Sequence, residues 1–251
     1  MSSPRFPSNV NFRNEILAVL PPAELQRLSP FLARGRMVSG QSLHEAGESI
    51  QQVFFFEQGF ASLVAIADEG GSGVEVGVIG RDGMVGVAAA FSTAATSFTH
   101  SIVQLAGIAY RMPAAALRTV LPDCPVLMGL LVRTYEALSA QSAQTAACNS
   151  RHVLTQRCAR WLLVAHDRAD GNELLLTQEF LSIMLAVRRS GVTIAVATLS
   201  HAGLIRTTRG RVFVVDRPGL EAASCACYQR VQRFTDALQD VPLSFQLVPS
   251  F

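Results

Sequence analysis

The chain has 251 residues, of which 49% are apolar and 16% charged, with a formal net charge of +2. That length accommodates two domains with real cores, and no apolar run reaches the roughly 18 residues of a membrane-spanning helix. Five cysteines without framework spacing argue for a reducing compartment, and residues 1–11 lack the apolar block of a secretory signal, so a cytoplasmic protein without a membrane partner is expected.

Asn11 to Phe31 carries Ile16, Leu17, Leu20, Leu25, Leu28 and Phe31 at helical spacing, broken by Pro21-Pro22. From Met37 to Met112 the pattern changes to short apolar runs: Val53–Phe56, Ala61–Ala67, Val74–Ile79 and Ser101–Tyr110. Between them lie the turn signals Glu57-Gln58-Gly59, Asp68-Glu69-Gly70-Gly71 and Gly80-Arg81-Asp82-Gly83. Many short strands at this spacing predict an antiparallel jelly roll enclosing a small pocket. Gly77, Gly83 and Gly86 fit its tight corners or close backbone approaches. Pro113 to Leu121 is a short helix.

A long helix follows Pro122 and Pro125. Leu127, Leu131, Thr134, Leu138, Gln141, Thr145 and Cys148 recur at spacings of four and three, a heptad pattern. We read this stripe as the seam of a two-fold homodimer; the competing reading is a helix seated on its own sandwich. Arg151 to Arg168 is amphipathic, with Val153, Leu154, Cys158, Trp161, Leu162 and Ala165 inward. A turn at Asp170-Gly171-Asn172 and a short strand at Leu174–Leu176 follow. Pro218 to Leu238 reads as one helix, on which Cys225 and Cys227 would point opposite ways. No metal site or cofactor is therefore expected, and no catalytic constellation stands out.

Thr177 to Ile205 reads as two short helices joined by a tight turn at Ala186-Val187-Arg188. Phe180, Leu181, Met184 and Leu185 share one face of the first helix, and Val192, Ala195, Val196 and Leu199 one face of the second. Gly203 stands where a left-handed C-terminal cap belongs. Arg189, Ser190, Thr193, Ile194 and Ala197 line the outward stripe of the second helix. Such a helix-turn-helix enters a DNA major groove with the N-terminal residues of its second helix. Leu204–Arg206 and Val212–Val215, turned by Thr208-Arg209-Gly210, predict a hairpin wing. Between Phe180 and Val215 there is no Asp or Glu, yet there are Arg188, Arg189, Arg206, Arg209 and Arg211. A local basic face beside a helix-turn-helix is the electrostatic footprint of nucleic-acid binding. The DNA-contacting set is thus Arg188, Arg189, Ser190, Thr193, Ile194, Arg206, Arg209 and Arg211, with Thr177 at the start of the first helix.

On L-T-Q-E-F-L-S-I-M-L-A-V-R-R-S-G-V-T, A-G-L-I-R-T-T-R-G-R and, in the sandwich, H-E-A-G-E-S-I with V-F-F-F-E-Q-G, the chain resembles the Crp/Fnr superfamily of bacterial transcription regulators from about Leu20 to Tyr228. The resemblance implies an α+β chain: a cyclic-nucleotide-binding-like jelly-roll sensor over 1–121, a dimerisation helix over 122–148 and a winged helix-turn-helix over 149–251. It also implies a homodimer on a palindromic double-stranded DNA site, and leaves room for RNA polymerase as a partner. The chain departs from the family pattern at Arg188, where a Ser or Asp cap is usual, at Gly191 in place of Ser or Thr, and at Ile194 in place of a basic reader. In cyclic-nucleotide-binding members a Gly-Glu pair precedes, by about ten residues, an Arg that forks onto the phosphate. Here Gly86-Val87 replaces the pair, and Thr96 to His100 holds no Arg. The degenerate pocket would comprise Gly83, Val85, Gly86, Val87 and Thr99, and its effector is not the standard cyclic nucleotide. The alternative is a signalling module that acts through protein contacts without binding DNA.

Overall fold

The computed structural model describes residues 11–67 and 73–240. The first part opens with α1 (Glu15–Val19) and α2 (Pro22–Leu28), split by Pro21-Pro22 as expected. Asn14 caps α1 by accepting from Leu17 N, while its own amide donates to the carbonyls of Phe56 and Gly83. These bonds tie the N-terminal helices to the sheet.

That sheet comprises β1 (Ala33–Met37), β2 (Ser42–His44), β3 (Gln52–Ile66), β4 (Gly73–Ile79) and β5 (His100–Pro113). It is antiparallel, ordered β1-β5-β3-β4, with β2 also on β5. Val53–Phe56 and Ala61–Ala67 were expected as separate strands, but Val53 to Ile66 runs as the single strand β3. Glu57-Gln58-Gly59 is an irregularity in its pairing with β5, not a turn. Its cause is steric. Gly59 has φ +75°, and a Cβ there would lie 2.2 Å from the Leu105 carbonyl; one on Gly107 would lie 1.9 Å from the Gln58 carbonyl. Two strands this close must meet glycine to glycine. The Asp68–Gly71 turn falls outside the described residues.

Side chains alternate across β3. Val53 and Phe55 enter a core with Leu17, Leu28, Met112, Leu117, Leu127 and Leu131. Phe54 and Phe56 enter a smaller one with Met37, Ile79, Val85, Val103 and Ala109. After α3 (Ala114–Val120) the chain runs into α4 (Pro125–Arg151). The buried carboxylate of Glu24, from α2, accepts from the first free amides of α4, Val126 N at 3.0 Å and Leu127 N at 2.9 Å. An anion at that position satisfies orphan donors and opposes the helix dipole.

The heptad stripe of α4, expected as a dimer seam, packs within its own chain. Leu127 and Leu131 are wholly buried in the core of Val53 and Phe55, and Leu138 packs against it. Thr134 is buried, its methyl carbon packed against Gly83. Gln141 binds both the N–H and the carbonyl of Val78. Thr145 Oγ1 accepts from Arg160 Nη2 at 2.8 Å. The apolar-plus-amide stripe thus seats the helix on its own chain, which was the competing reading. The face left to solvent carries Val132, Tyr135, Ser139, Ala143 and Ala146.

The remaining chain forms α5 (Leu154–Arg168), β6 (Glu173–Leu175), α6 (Gln178–Met184), α7 (Arg189–His201), β7 (Ile205–Thr208), β8 (Arg211–Val214), α8 (Arg217–Ala223) and α9 (Cys227–Asp240). Val153 was expected inward, yet it is the exposed residue that precedes α5. The expected single helix over Pro218–Leu238 is two, α8 and α9, with residues 224–226 between them. Cys158, Trp161, Leu162, Leu181, Val192, Val196 and Leu199 share one core, to which the sheet contributes Phe60, Val64 and Val78. Ion pairs rim that junction: Arg168–Asp82, Arg13–Asp170, and Arg217–Asp167 at 2.6 Å. At its centre Glu75 of β4, buried, accepts from Ser62 Oγ and from Trp161 Nε1 of α5, each at 2.6 Å. Burial pushes its carboxyl up to about 7, against the opposing pull of those two hydrogen bonds and of Arg160 and Arg168.

Candidate nucleic-acid interface

Thr177 caps α6: its hydroxyl oxygen accepts from Phe180 N at 3.1 Å. The apolar face of the helix then buries Leu181 and Met184, and Phe180 packs edge-on against Trp161 with ring centroids 6.0 Å apart. The chain turns through residues 185–188, where Ala186 has φ +50°, a left-handed conformation that costs a residue with a Cβ. The carbonyls left free at the end of α6 are taken by the turn's own amides, Ala186 N on Ile183 O and Val187 N on Ser182 O. The axes of α6 and α7 differ by 107°, within the 90–120° of helix-turn-helix pairs.

Val192, Ala195, Val196 and Leu199 bury the inner face of α7. Gly191, the departure noted in the sequence, faces α5: a Cβ there would come within 2.9 Å of Leu154 Cδ2. Close packing of α7 on α5 thus offsets glycine's cost in a helix. The helix ends as expected, with Gly203 at φ +74° and Leu204 N reaching back to Leu199 O at 3.1 Å.

Arg188, Arg189, Ser190, Thr193 and Ile194 are all exposed on the outer face, Ile194 at 68%. The guanidiniums of Arg188, Arg189 and Arg209 make no ion pair or hydrogen bond among the described residues. The Thr193 hydroxyl is already engaged, donating to Gln178 Oε1 at 2.8 Å or to Arg189 O at 3.1 Å. The wing is the hairpin β7–β8, turned at Arg209-Gly210 with Gly210 at φ +72°, and β6 pairs with β8 as a third strand. Two wing arginines have intramolecular partners. Arg206 lies over the Phe213 ring, 4.5 Å from its centroid, and Arg211 pairs with Glu173 at 2.6 Å. Between α7 and the wing lies a groove of about 380 Å³, walled by Thr177, Gln178, Arg189, Thr207, Thr208 and Arg209. The structure therefore gathers Thr177, Arg189 and Arg209 around one groove.

Residues 156–223 match the model of the Crp-like helix-turn-helix domain. Structural likeness extends beyond that domain. FixK2 from Bradyrhizobium japonicum superposes with a TM-score of 0.65 at 12% identity, over 78% of this chain and 98% of that one. The c-di-GMP-responsive global regulator CLP from Xanthomonas campestris gives 0.61 at 15%, over 77% and 99%. A CRP/FNR-family transcriptional regulator from Thermus thermophilus gives 0.61 at 16%, over 76% and 98%. This chain has the Crp/Fnr fold. Its C-terminal part is a Crp-like helix-turn-helix domain. None of the curated proteins compared matches the sequence.

Within the Crp/Fnr fold, the expected effector residues are not a polar pocket. Val85 is wholly buried with Phe54 and Phe56, and Val87 lies in the core that holds Leu127 and Leu131. Gly86 has φ +88°, and a Cβ there would meet His44 Cε1 at 2.9 Å, so His44 and Ile50 fill the space beside it. Gly83 packs on Thr134. The Thr99 carbonyl accepts from Ser97 Oγ at 2.6 Å. Arg81, in the turn before Gly83, pairs with Asp170 at 3.5 Å and donates to Asp167 O. The cation that reaches the turn after Gly86 is Arg118 of α3, whose Nη1 donates to Ala89 O at 3.1 Å. Sequence spacing gave no signal for it, because α3 returns to the turn only in the folded chain.

Proposed function

We propose that this protein is a homodimeric, sequence-specific DNA-binding transcription regulator whose effector is not cAMP. The observation that carries the reading is the outer face of α7. It presents Arg188 and Arg189, without an ion-pair partner among the described residues, beside exposed Ser190 and Ile194, in a stretch that excludes every acid from Phe180 to Val215. Arg189 supplies a bidentate fork for a guanine edge, and Ile194 an apolar contact for a thymine methyl. Arg209, at the wing tip, meets a phosphate and carries no sequence information. The wing and the N-terminal end of α6 bracket the groove through which the backbone passes. Ligand specificity in the sensor differs from that of cyclic-nucleotide binders, because Gly86-Val87 and Thr96 to His100 lack the Glu and the Arg of a cyclic-nucleotide cassette, and the Arg118 guanidinium that reaches this turn comes from another element and donates to the Ala89 carbonyl.

The dimer forms through the outward stripe of α4, Val132, Tyr135, Ser139, Ala143 and Ala146, at spacings of three and four. Its small side chains allow a partner helix to approach closely. Duplex binding measured against salt tests the DNA reading. Wild-type affinity should fall steeply as salt rises, and Arg209→Ala should shallow that dependence by about one phosphate contact per chain. A protein that fails to bind duplex DNA even at low salt contradicts the proposal.

A further inference from the structure

Three of the five cysteines gather where the end of α4 meets the α8–α9 connection. Cys148, Cys225 and Cys227 form a buried cluster of their own, apart from the hydrophobic cores. Cys225 and Cys227 were expected on opposite sides of one helix. The chain instead leaves α8 at Ser224, in extended conformation, and enters α9 only at Cys227. That break turns both sulfurs to the same side. Cys148 Sγ lies 3.4 Å from Cys225 Sγ, too far for a disulfide and free of one. Cys227 Sγ lies 3.5 Å from Nδ1 of His152, the residue that follows α4. All four ligand atoms lie within 4.8 Å of one another.

We propose that Cys148, His152, Cys225 and Cys227 form a tetrahedral zinc site. A tetrahedron with Zn–S near 2.3 Å and Zn–N near 2.0 Å places sulfurs roughly 3.8 Å apart and a sulfur about 3.5 Å from the imidazole nitrogen. The Cys148–Cys225 and Cys227–His152 separations match these distances to within a few tenths of an ångström. Three thiolates and one imidazole are the soft, nitrogen-containing donor set that selects zinc over hard cations. The surroundings fit the charge. Zinc with three thiolates carries a net charge of −1, and the guanidiniums of Arg157 and Arg160 both act on Cys148. Arg160 is itself buried, and its Nε has no hydrogen-bond partner; a charged cluster beside it compensates a cation that is otherwise costly to bury. Gln144 Nε2 donates to Cys227 Sγ at 3.0 Å, a bond that favours the thiolate.

Four protein ligands leave no open coordination position, so the metal is structural. It clamps the C-terminal end of α4 to the link between α8 and α9, and so fixes the winged domain against the long helix. The inference does not depend on DNA binding.

The test is elemental analysis of the full chain, purified from zinc-supplemented cells without chelator. About one zinc per chain is expected. Cys225→Ser should lower the content several-fold, while Cys124→Ser, in the sensor core, should leave it unchanged. Because Cys225→Ser can fail to fold, a second measurement uses wild type alone. Apoprotein reloaded with Co²⁺ should show the d–d bands and sulfur charge transfer of tetrahedral thiolate coordination at one equivalent. A protein that carries no zinc and shows no tetrahedral cobalt spectrum overturns the site. So does a Cys148–Cys225 disulfide in protein purified under reducing conditions.

Discussion

Glu75→Gln isolates the contact on which the sensor sheet meets α5. The carboxyl accepts from Ser62 and from Trp161, the only tryptophan in the chain, and burial lifts it from its ordinary 4.5 to about 7. A raised carboxyl means that the folded state holds a proton that the unfolded state has released. Stability from this group is therefore complete below about pH 4.5 and is lost as pH rises through about 7. The loss amounts to about 3 kcal/mol over that window, at roughly 1.4 kcal/mol per pH unit. Glutamine matches the protonated acid in shape, still accepts from Trp161 and does not titrate. Urea unfolding followed by Trp161 fluorescence from pH 5 to 8.5 should show wild type and Glu75→Gln converging at the acid end. The variant should then become progressively more stable toward pH 8. His44, which burial pushes down, contributes equally to both proteins and cancels in the difference. Parallel pH curves for the two proteins would refute the reasoning.

Ala186→Gly should raise stability by about 1 kcal/mol in the same assay, because glycine relieves the left-handed turn at a partial cost in unfolded-state entropy. Ala143→Arg should give a folded monomer in sedimentation, whereas Leu131→Glu should unfold the sensor core rather than separate subunits; a dimeric Ala143→Arg would place the interface elsewhere. Calorimetry with cAMP should show no binding at micromolar concentration, since losing a charge-assisted pair costs a few kcal/mol and about 1.4 kcal/mol is tenfold.

The helix-turn-helix was legible because local signals agreed there: periodicity, a glycine cap, a hairpin turn and an acid-free run of arginines. The α4 stripe was legible as a stripe but not in its partner. Heptad spacing records that a face is buried, not what buries it, and Gln141 and Thr145 are satisfied by Val78 and Arg160, which are distant in sequence. The β3 strand was cut in two because Glu-Gln-Gly reads as a turn wherever the facing Gly107 is not known. The cysteine cluster was invisible for a similar reason: its geometry depends on a break in the last helix and on a residue 77 positions upstream.

The most direct test of the central claim is in vitro selection of duplex DNA with the full-length protein, repeated with Arg189→Ala. Wild type should enrich a palindrome whose half-sites lie about one helical turn apart. Arg189→Ala should bind that sequence more weakly by about 1–3 kcal/mol and relax the preference at a single base pair in each half-site. Selection that enriches no sequence, or an Arg189→Ala variant that enriches the same palindrome with undiminished affinity, would contradict it.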